Sequence, residues 1–162
     1  MKTSLLLCLA LAPALALAQS AATTEGQKHM MMKASETKWG PGPAFLPKGI
    51  QAAVLYGDPA KAGPFALRLK APAGGKIPRH WHPTDEQVTV ISGDFTLSMG
   101  EAGKTHEATF GAGDYINMPA KMQHEASTKG GGIVQVNSMG PFAITYVNAK
   151  DDPRNAKPAA KK

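Results

Sequence analysis

The sequence predicts a single all-β domain of the sandwich or barrel kind, and three observations carry that expectation. Short runs of alternating apolar and polar residues recur from about His29 to Asn148. Gly, Pro and Asp clusters separate them at close intervals. Nowhere in the same span does an amphipathic pattern of helical period run for ten or more residues.

The clearest strand is Phe65 to Lys70, where Phe65, Leu67 and Leu69 point one way and Ala66, Arg68 and Lys70 the other. Phe95 to Met99 and Phe142 to Tyr146 alternate in the same manner. Gln87 to Ile91 and Ile133 to Asn137 are richer in valine and isoleucine and read as more central strands. Turns are expected at Gly57-Asp58-Pro59, Ala73-Gly74-Gly75, Ser92-Gly93-Asp94, Gly111 to Asp114, Gly130 to Gly132 and Gly140-Pro141.

Residues 1–18 stand apart from this domain. Lys2 opens a short basic start, Leu5 to Leu17 form an apolar run interrupted by Pro13, and Ala16-Leu17-Ala18 supplies a small-x-small cleavage pattern before Gln19. The run is shorter than the ~20 residues a membrane span needs. A cleaved signal peptide is therefore expected, with a periplasmic or secreted product and no membrane association after cleavage. The only cysteine, Cys8, lies within that segment, and Leu7 before it is too large for a lipoprotein site. The mature chain has no disulfide and no thiolate ligand to offer. Without a twin-arginine pair, the chain is expected to cross unfolded and to take up any metal outside the cytoplasm, where the affinity order favours copper or zinc.

Residues 19–28 are small and polar and read as a disordered leader; residues 149–162 read as a loose basic tail. The net charge of +6 owes part of its excess to Lys157, Lys161 and Lys162 in that tail. No arginine cluster or basic–aromatic interleaving accompanies it, so nucleic acid is not an expected partner. Met30-Met31-Met32 reads as the start of a strand packing under the barrel rather than as a set of soft copper ligands.

The chemistry concentrates between Gly74 and Gly93. His80 and His82 are two apart, so on a strand their rings share one face while Trp81 takes the other. Pro83-Thr84 bends the chain, and Glu86 opens the Val88/Val90 strand at a matching parity. Gln87 should face the opposite way. A fourth donor, His124, follows Met118-Pro119 and a short connection that can aim it back inside. Three imidazoles and a carboxylate suit a divalent transition ion: iron, manganese, nickel, copper or zinc. His29 and His106 fall in exposed settings and are not included.

These residues resemble the two cupin motifs. The first, G-x5-H-x-H-x3-E-x6-G, is met by Gly74, His80, His82, Glu86 and Gly93; the second, G-x5-P-x-G-x2-H-x3-N, by Gly113, Pro119 and His124. Lys121 stands where that family has glycine and Thr128 where it has asparagine. The resemblance is to small single-domain cupins and implies a double-stranded β-helix, or jelly-roll barrel. It implies a metal in the barrel mouth on His80, His82, Glu86 and His124. It also implies a small-molecule ligand or substrate and a homodimer. Members of the family include dioxygenases, isomerases, decarboxylases and non-catalytic binding or sensing modules. Val88, Val90, Phe95, Leu97, Met99 and Met118 are expected to line the pocket, with Tyr115, Asn117, Gln135 or Tyr146 as candidate polar contacts. No further acid or base is evident beside the ligands.

Overall fold

The structure, a computed structural model, describes residues 29–101 and 103–156. The signal segment, the leader up to residue 28 and the last six residues of the tail lie outside them. Among the described residues, no helix is long and apolar enough to cross a membrane.

Eleven strands account for most of the domain: β1 (Gly40–Pro41), β2 (Gln51–Tyr56), β3 (Gly63–Ala71), β4 (Lys76–Trp81), β5 (Glu86–Gly93), β6 (Phe95–Met99), β7 (His106–Phe110), β8 (Tyr115–Met118), β9 (His124–Ser127), β10 (Gly132–Gly140) and β11 (Thr145–Tyr146). They form two antiparallel sheets, a six-stranded one in the order β1-β2-β3-β10-β5-β8 and a five-stranded one in the order β11-β4-β9-β6-β7. The two sheets make the jelly roll expected from the sequence. The alternation in β3, β5 and β6 decides which side chains enter the core. Phe65, Leu67, Val88, Val90, Phe95 and Leu97 meet Ile116, Met118 and Val136 in one buried cluster. A second cluster of Leu46, Ile50, Ile144 and Tyr146 sits where an arm, residues 40–50, folds over one end. Tyr146 ties that arm down by donating its hydroxyl to the carbonyl of Phe45 at 2.7 Å. The Lys70 ammonium adds a contact 4.3 Å from the Trp39 ring centre.

Three expectations change. Phe142 to Tyr146 is not one strand: only Thr145 and Tyr146 pair, with Trp81 and His80. Past Gly140 the chain leaves the six-stranded sheet, and its backbone groups are used elsewhere. Phe142 N–H donates to Pro59, and the Ala143 carbonyl accepts from a histidine ring. Met30, Met31 and Met32 form no strand and are exposed; three flexible unbranched side chains after a polar leader have no pleated neighbour to pair with. Residues 149–155, read as the start of a loose tail, make two 3-10 turns capped by Asn148 and Asp152. Arg154 ties the second turn to the barrel by donating to the Ile144 carbonyl.

Both glycines of the first motif have positive φ, +72° at Gly74 and +76° at Gly93, but their surroundings differ. A Cβ at Gly74 would meet nothing within 4 Å, whereas at Gly93 it would lie 2.2 Å from the Gly131 carbonyl oxygen. Gly74→Ala should therefore cost only the left-handed penalty of about 1–2 kcal/mol. Gly93→Ala should cost about 3 kcal/mol or more, because the β10 backbone must also move. Denaturant unfolding of the two variants in parallel measures both, and equal losses would show that the close approach contributes nothing.

Candidate metal centre

His80 lies near the end of β4 and His124 at the start of β9, directly opposite each other in register. Glu86 opens β5 in the other sheet, and His82 sits in the connection that crosses between them. All four side chains are buried. One donor nitrogen from each of His80, His82 and His124 lies within 4.8 Å of the others. The Glu86 Oε2 is 3.4 Å from His82 Nε2 and 3.2 Å from His124 Nε2. All four residues expected from strand parity and the second motif thus come together, and Gln87 is exposed on the opposite face.

The orientation of the rings is held from behind. His80 Nδ1 lies 2.7 Å from the Pro78 carbonyl, His82 Nδ1 2.8 Å from Ala143 and His124 Nδ1 3.0 Å from Met122. A carbonyl only accepts, so each ring places a proton on Nδ1 and leaves Nε2 facing inward, where a neutral ring presents a lone pair. His80 and His124 use the carbonyl two residues before them, a local device available to any strand histidine. The partner of His82 lies far along the chain. Phe142, beside that partner, stacks on the His82 ring with centroids 4.4 Å apart and planes 17° from parallel.

Three inward lone pairs facing a carboxylate repel one another unless a cation sits among them. The His82 Nε2 shows the problem most plainly: it is buried and has no hydrogen-bond partner. Burial, reinforced by the neighbouring His124 and His82, depresses the His80 imidazole to about 3, and burial lowers His82 as well. Burial pushes the Glu86 carboxyl up, but positive charge at the ring cluster, first of all at His124, outweighs it and holds the group below its usual range, an influence that a bound cation would exert in place of ring protons. Neutral imidazoles at His80 and His82 beside an ionised carboxylate at Glu86 are protonation states that suit a divalent transition ion. The residues present fit such an ion.

The turn that delivers His124 carries the departure noted in the sequence. Lys121 adopts φ +66°, the left-handed conformation that the family's glycine adopts freely. Its N–H donates to the His82 carbonyl at 2.8 Å, and Ala120 N–H donates to Asp85 at 2.8 Å. The turn is thereby stitched to the first-motif loop, and these bonds offset the strain of a lysine there. Thr128, in place of asparagine, is buried and accepts from Gly131 N–H.

Two cavities meet at the site. The deeper, of about 70 Å³, is lined by His80, Glu86 and His124 and by Val88, Val90, Phe95, Leu97 and Met118. The larger, of about 300 Å³, lies toward the arm and is bounded by Phe45, Leu46, Val54, Asp58, Phe142 and Ile144 besides His80, His82 and Glu86. The arm and the 58–60 loop were not anticipated as walls, since nothing local in the sequence shows where an arm folds. Of the candidate polar contacts, Tyr115 and Asn117 face outward. Gln135 is spent on Arg68 and Asn137. Tyr146 lies near His80, with ring centres 5.9 Å apart, but commits its hydroxyl to the arm. Burial, with Asp152 nearby, pushes that phenol up to about 12 and keeps it neutral.

With this geometry established, comparison with known proteins is decisive for the family. The description "ChrR Cupin-like domain" matches residues 27–143. The chain belongs to this cupin family. Among solved structures, this cupin is similar to an RmlC-like cupin from Shewanella frigidimarina (TM-score 0.56, 19% identity, 71% of this chain and 95% of that one). It is also similar to the polyketide cyclase RemF from Streptomyces resistomycificus (TM-score 0.65, 18% identity, 78% and 90%). A third likeness is to oxalate decarboxylase from Bacillus subtilis, a structure concerned with Mn(II) centres (TM-score 0.54, 21% identity); it covers 73% of this chain but 32% of that longer one. At such identities the likeness is one of fold. No curated protein matches the chain.

The protonation states give a testable sign. Unfolded histidines accept a proton near 6.5, whereas folded His80 does so only near 3. Between those values the unfolded state binds more protons, so stability falls as pH falls. Glu86, depressed when folded, acts in the same direction, its contribution being lost as pH drops below its ordinary value of 4.5. In the presence of a chelator, the melting temperature should decline steadily from pH 7 to pH 4, and His80→Asn should flatten that decline. A profile independent of pH would contradict the buried neutral imidazole.

Proposed function

We propose that this cupin is an exported mononuclear metal protein whose ion is held by His80, His82, Glu86 and His124 and anchors a small molecule in the adjoining cavity. One observation carries the reading: three backbone-locked imidazoles and an ionised carboxylate converge inside the barrel, with the His82 Nε2 otherwise unpartnered. Iron, manganese, nickel, copper and zinc all accept such a donor set; the Mn(II) centres of the Bacillus subtilis oxalate decarboxylase support testing manganese first. A bound divalent ion would polarise a carbonyl or lower the pKa of coordinated water.

Four protein donors leave an octahedral ion about two positions for ligand. That favours a metal-dependent enzyme of the dioxygenase or isomerase/lyase type. The second reading, a non-catalytic binding or sensing module, is favoured by the absence of a spare base. Among the described residues lining the larger cavity, Asp58 is the sole ionisable group besides the proposed ligands. Its carboxylate is already engaged by Ala60 N–H and Lys61. Export rests on the Lys2 and Leu5–Leu17 pattern, and a mature N-terminus at Gln19 would be its signature. Homodimerisation is supported by the outward apolar residues Ile91 and Tyr115 near the β8 edge, Tyr115 being 58% exposed.

Metal analysis of the chain purified from its native compartment should give one transition ion per chain. Glu86→Gln should weaken metal binding by at least about 100-fold, since it removes the sole anionic donor at nearly constant shape. His82→Ala should abolish stoichiometric binding while the fold survives. Full metal retention in both variants would defeat the proposal. Turnover lost with His80→Ala or His124→Ala marks the enzyme; tight ligand binding without product marks the sensor. Sedimentation at micromolar concentration should show a dimer that Tyr115→Lys converts to monomer.

A further inference from the structure

We propose that Arg79 is a positioning residue for the metal centre. Its guanidinium clamps three strands on the outer face of the five-stranded sheet and holds a bulge in β4 that turns His80 into the barrel. The link to metal rests on the centre proposed above; the facing of His80 does not. β4 and β9 pair at Lys76 with Ser127 and at Ile77 with Ala126, and the next matched pair is His80 with His124. Pro78 and Arg79 of β4 therefore oppose Glu125 alone on β9. Two residues against one make a β-bulge, where a proline, having no N–H to give to the ladder, is readily placed.

The bulge decides which way the histidine points. Ile77 faces inward and lines the deeper cavity together with His80. Strict alternation from Ile77 would turn Arg79 inward and His80 outward, and would set Arg79 opposite His124. The extra residue inverts that parity: His80 is buried at 3% exposure, level with His124, and Arg79 goes to the other face. There the Arg79 fork reaches across β9, which lies between β4 and β6. One arm donates to the Gly100 carbonyl just past β6, and the other donates to Ser98 Oγ at 2.9 Å, with Glu125 Oε1 3.8 Å away. Ser98 and Glu125 are partners in the β6–β9 register and alternate with the inward Leu97 and His124. The guanidinium thus spans three strands at the level of a second ligand. These bonds are shielded from water, since Ser98 is 5% exposed and the Arg79 side chain 17%. A planar fork can hold several acceptors at once, which a lysine ammonium on a flexible stem does less rigidly.

Two readouts test the clamp. In the metal-free full chain, diethyl pyrocarbonate modifies accessible imidazoles, peptide mass spectrometry resolves each histidine, and the exposed His106 serves as internal standard. Modification of a buried ring waits on local opening, so relative to His106 the His80 ring should react at least about tenfold faster in Arg79→Met than in the wild type. Thr96→Val removes the Thr96–Thr109 hydrogen bond between β6 and β7 without touching the bulge, and should leave that ratio unchanged. The second readout is cobalt(II) affinity, measured by competition with a chelator on chains that circular dichroism shows to be folded, so that a lower melting temperature alone does not alter it. Arg79→Met should bind cobalt(II) at least about tenfold more weakly and with shifted visible bands, and Thr96→Val should match the wild type. Arg79→Lys, which keeps the charge but not the fork, should restore neither readout. Ser98→Ala, a milder change, should move both in the same direction and carries the test where Arg79→Met does not fold. Folded Arg79→Met or Ser98→Ala chains with wild-type His80 reactivity and cobalt affinity, or full restoration by lysine, overturn the clamp. A wild-type chain that takes up no cobalt overturns the metal centre, while the modification rates still decide whether Arg79 holds His80 inward.

Discussion

A carboxylate buried among three imidazole lone pairs is the constraint on which the rest of this structure depends. In water each of these groups would be solvated separately; inside a barrel they are tolerable only around a shared positive charge. Backbone groups do most of the work of fixing the three rings, with Phe142 stacked on His82. Three carbonyls hold the Nδ1 protons, the β4–β9 register sets His80 opposite His124, and the loop stitched to Lys121 keeps the His82 connection closed. Because Glu86 belongs to one sheet and His80 and His124 to the other, a bound ion joins the two halves of the sandwich. Metal loading would thus be coupled to barrel stability through the same four side chains.

Much of this was legible in the sequence because its signals are local. Period-2 alternation is a property of a few consecutive residues, and it located β3, β5, β6 and β10 and the inward sides of Phe65, Val88 and Leu97. The histidine pair and Glu86 obey the same rule, so their convergence needed only a bend at Pro83-Thr84. His124 required the second motif, since nothing in its own neighbourhood says which strand it will face. What escaped was set by distant partners. Phe142 to Ile144 alternates like a strand, yet its backbone is drawn off by Pro59 and His82, which no window of local sequence contains. The arm escaped for the same reason: Phe45 and Leu46 are ordinary apolar residues until Tyr146, far later in the chain, accepts them as neighbours.

The departures at Lys121 and Thr128 show which features of a motif are chemical and which are geometric. Glycine at 121 is one way to occupy the left-handed region, and a lysine held by its own N–H to the His82 carbonyl is another. Thr128 retains an oxygen that accepts from the β9–β10 turn, at Gly131. Neither position supplies a donor to the ion, so both tolerate a substitute that keeps the turn. The four proposed ligand positions would have no such freedom, because each combines a required atom with a required direction.

With an ion at the proposed centre, selectivity would fall to the cavity beside it. A protein that relied on charged side chains to recognise its ligand would place them around the metal, where they would also compete for it. This chain instead would leave a bound ion as the dominant polar anchor, and it surrounds the approach with Phe45, Phe142, Leu67 and Ile144. Discrimination then falls to the walls, through what they fail to solvate. A head group would determine whether a molecule could bind the ion at all, and its body whether it would be stable against these walls once water had left. The arm governs much of that second choice, since Phe45 and Leu46 enter the cavity only because Tyr146, whose ring also packs near His80, holds the arm in place. One side chain therefore links that cavity wall to a histidine of the proposed metal centre.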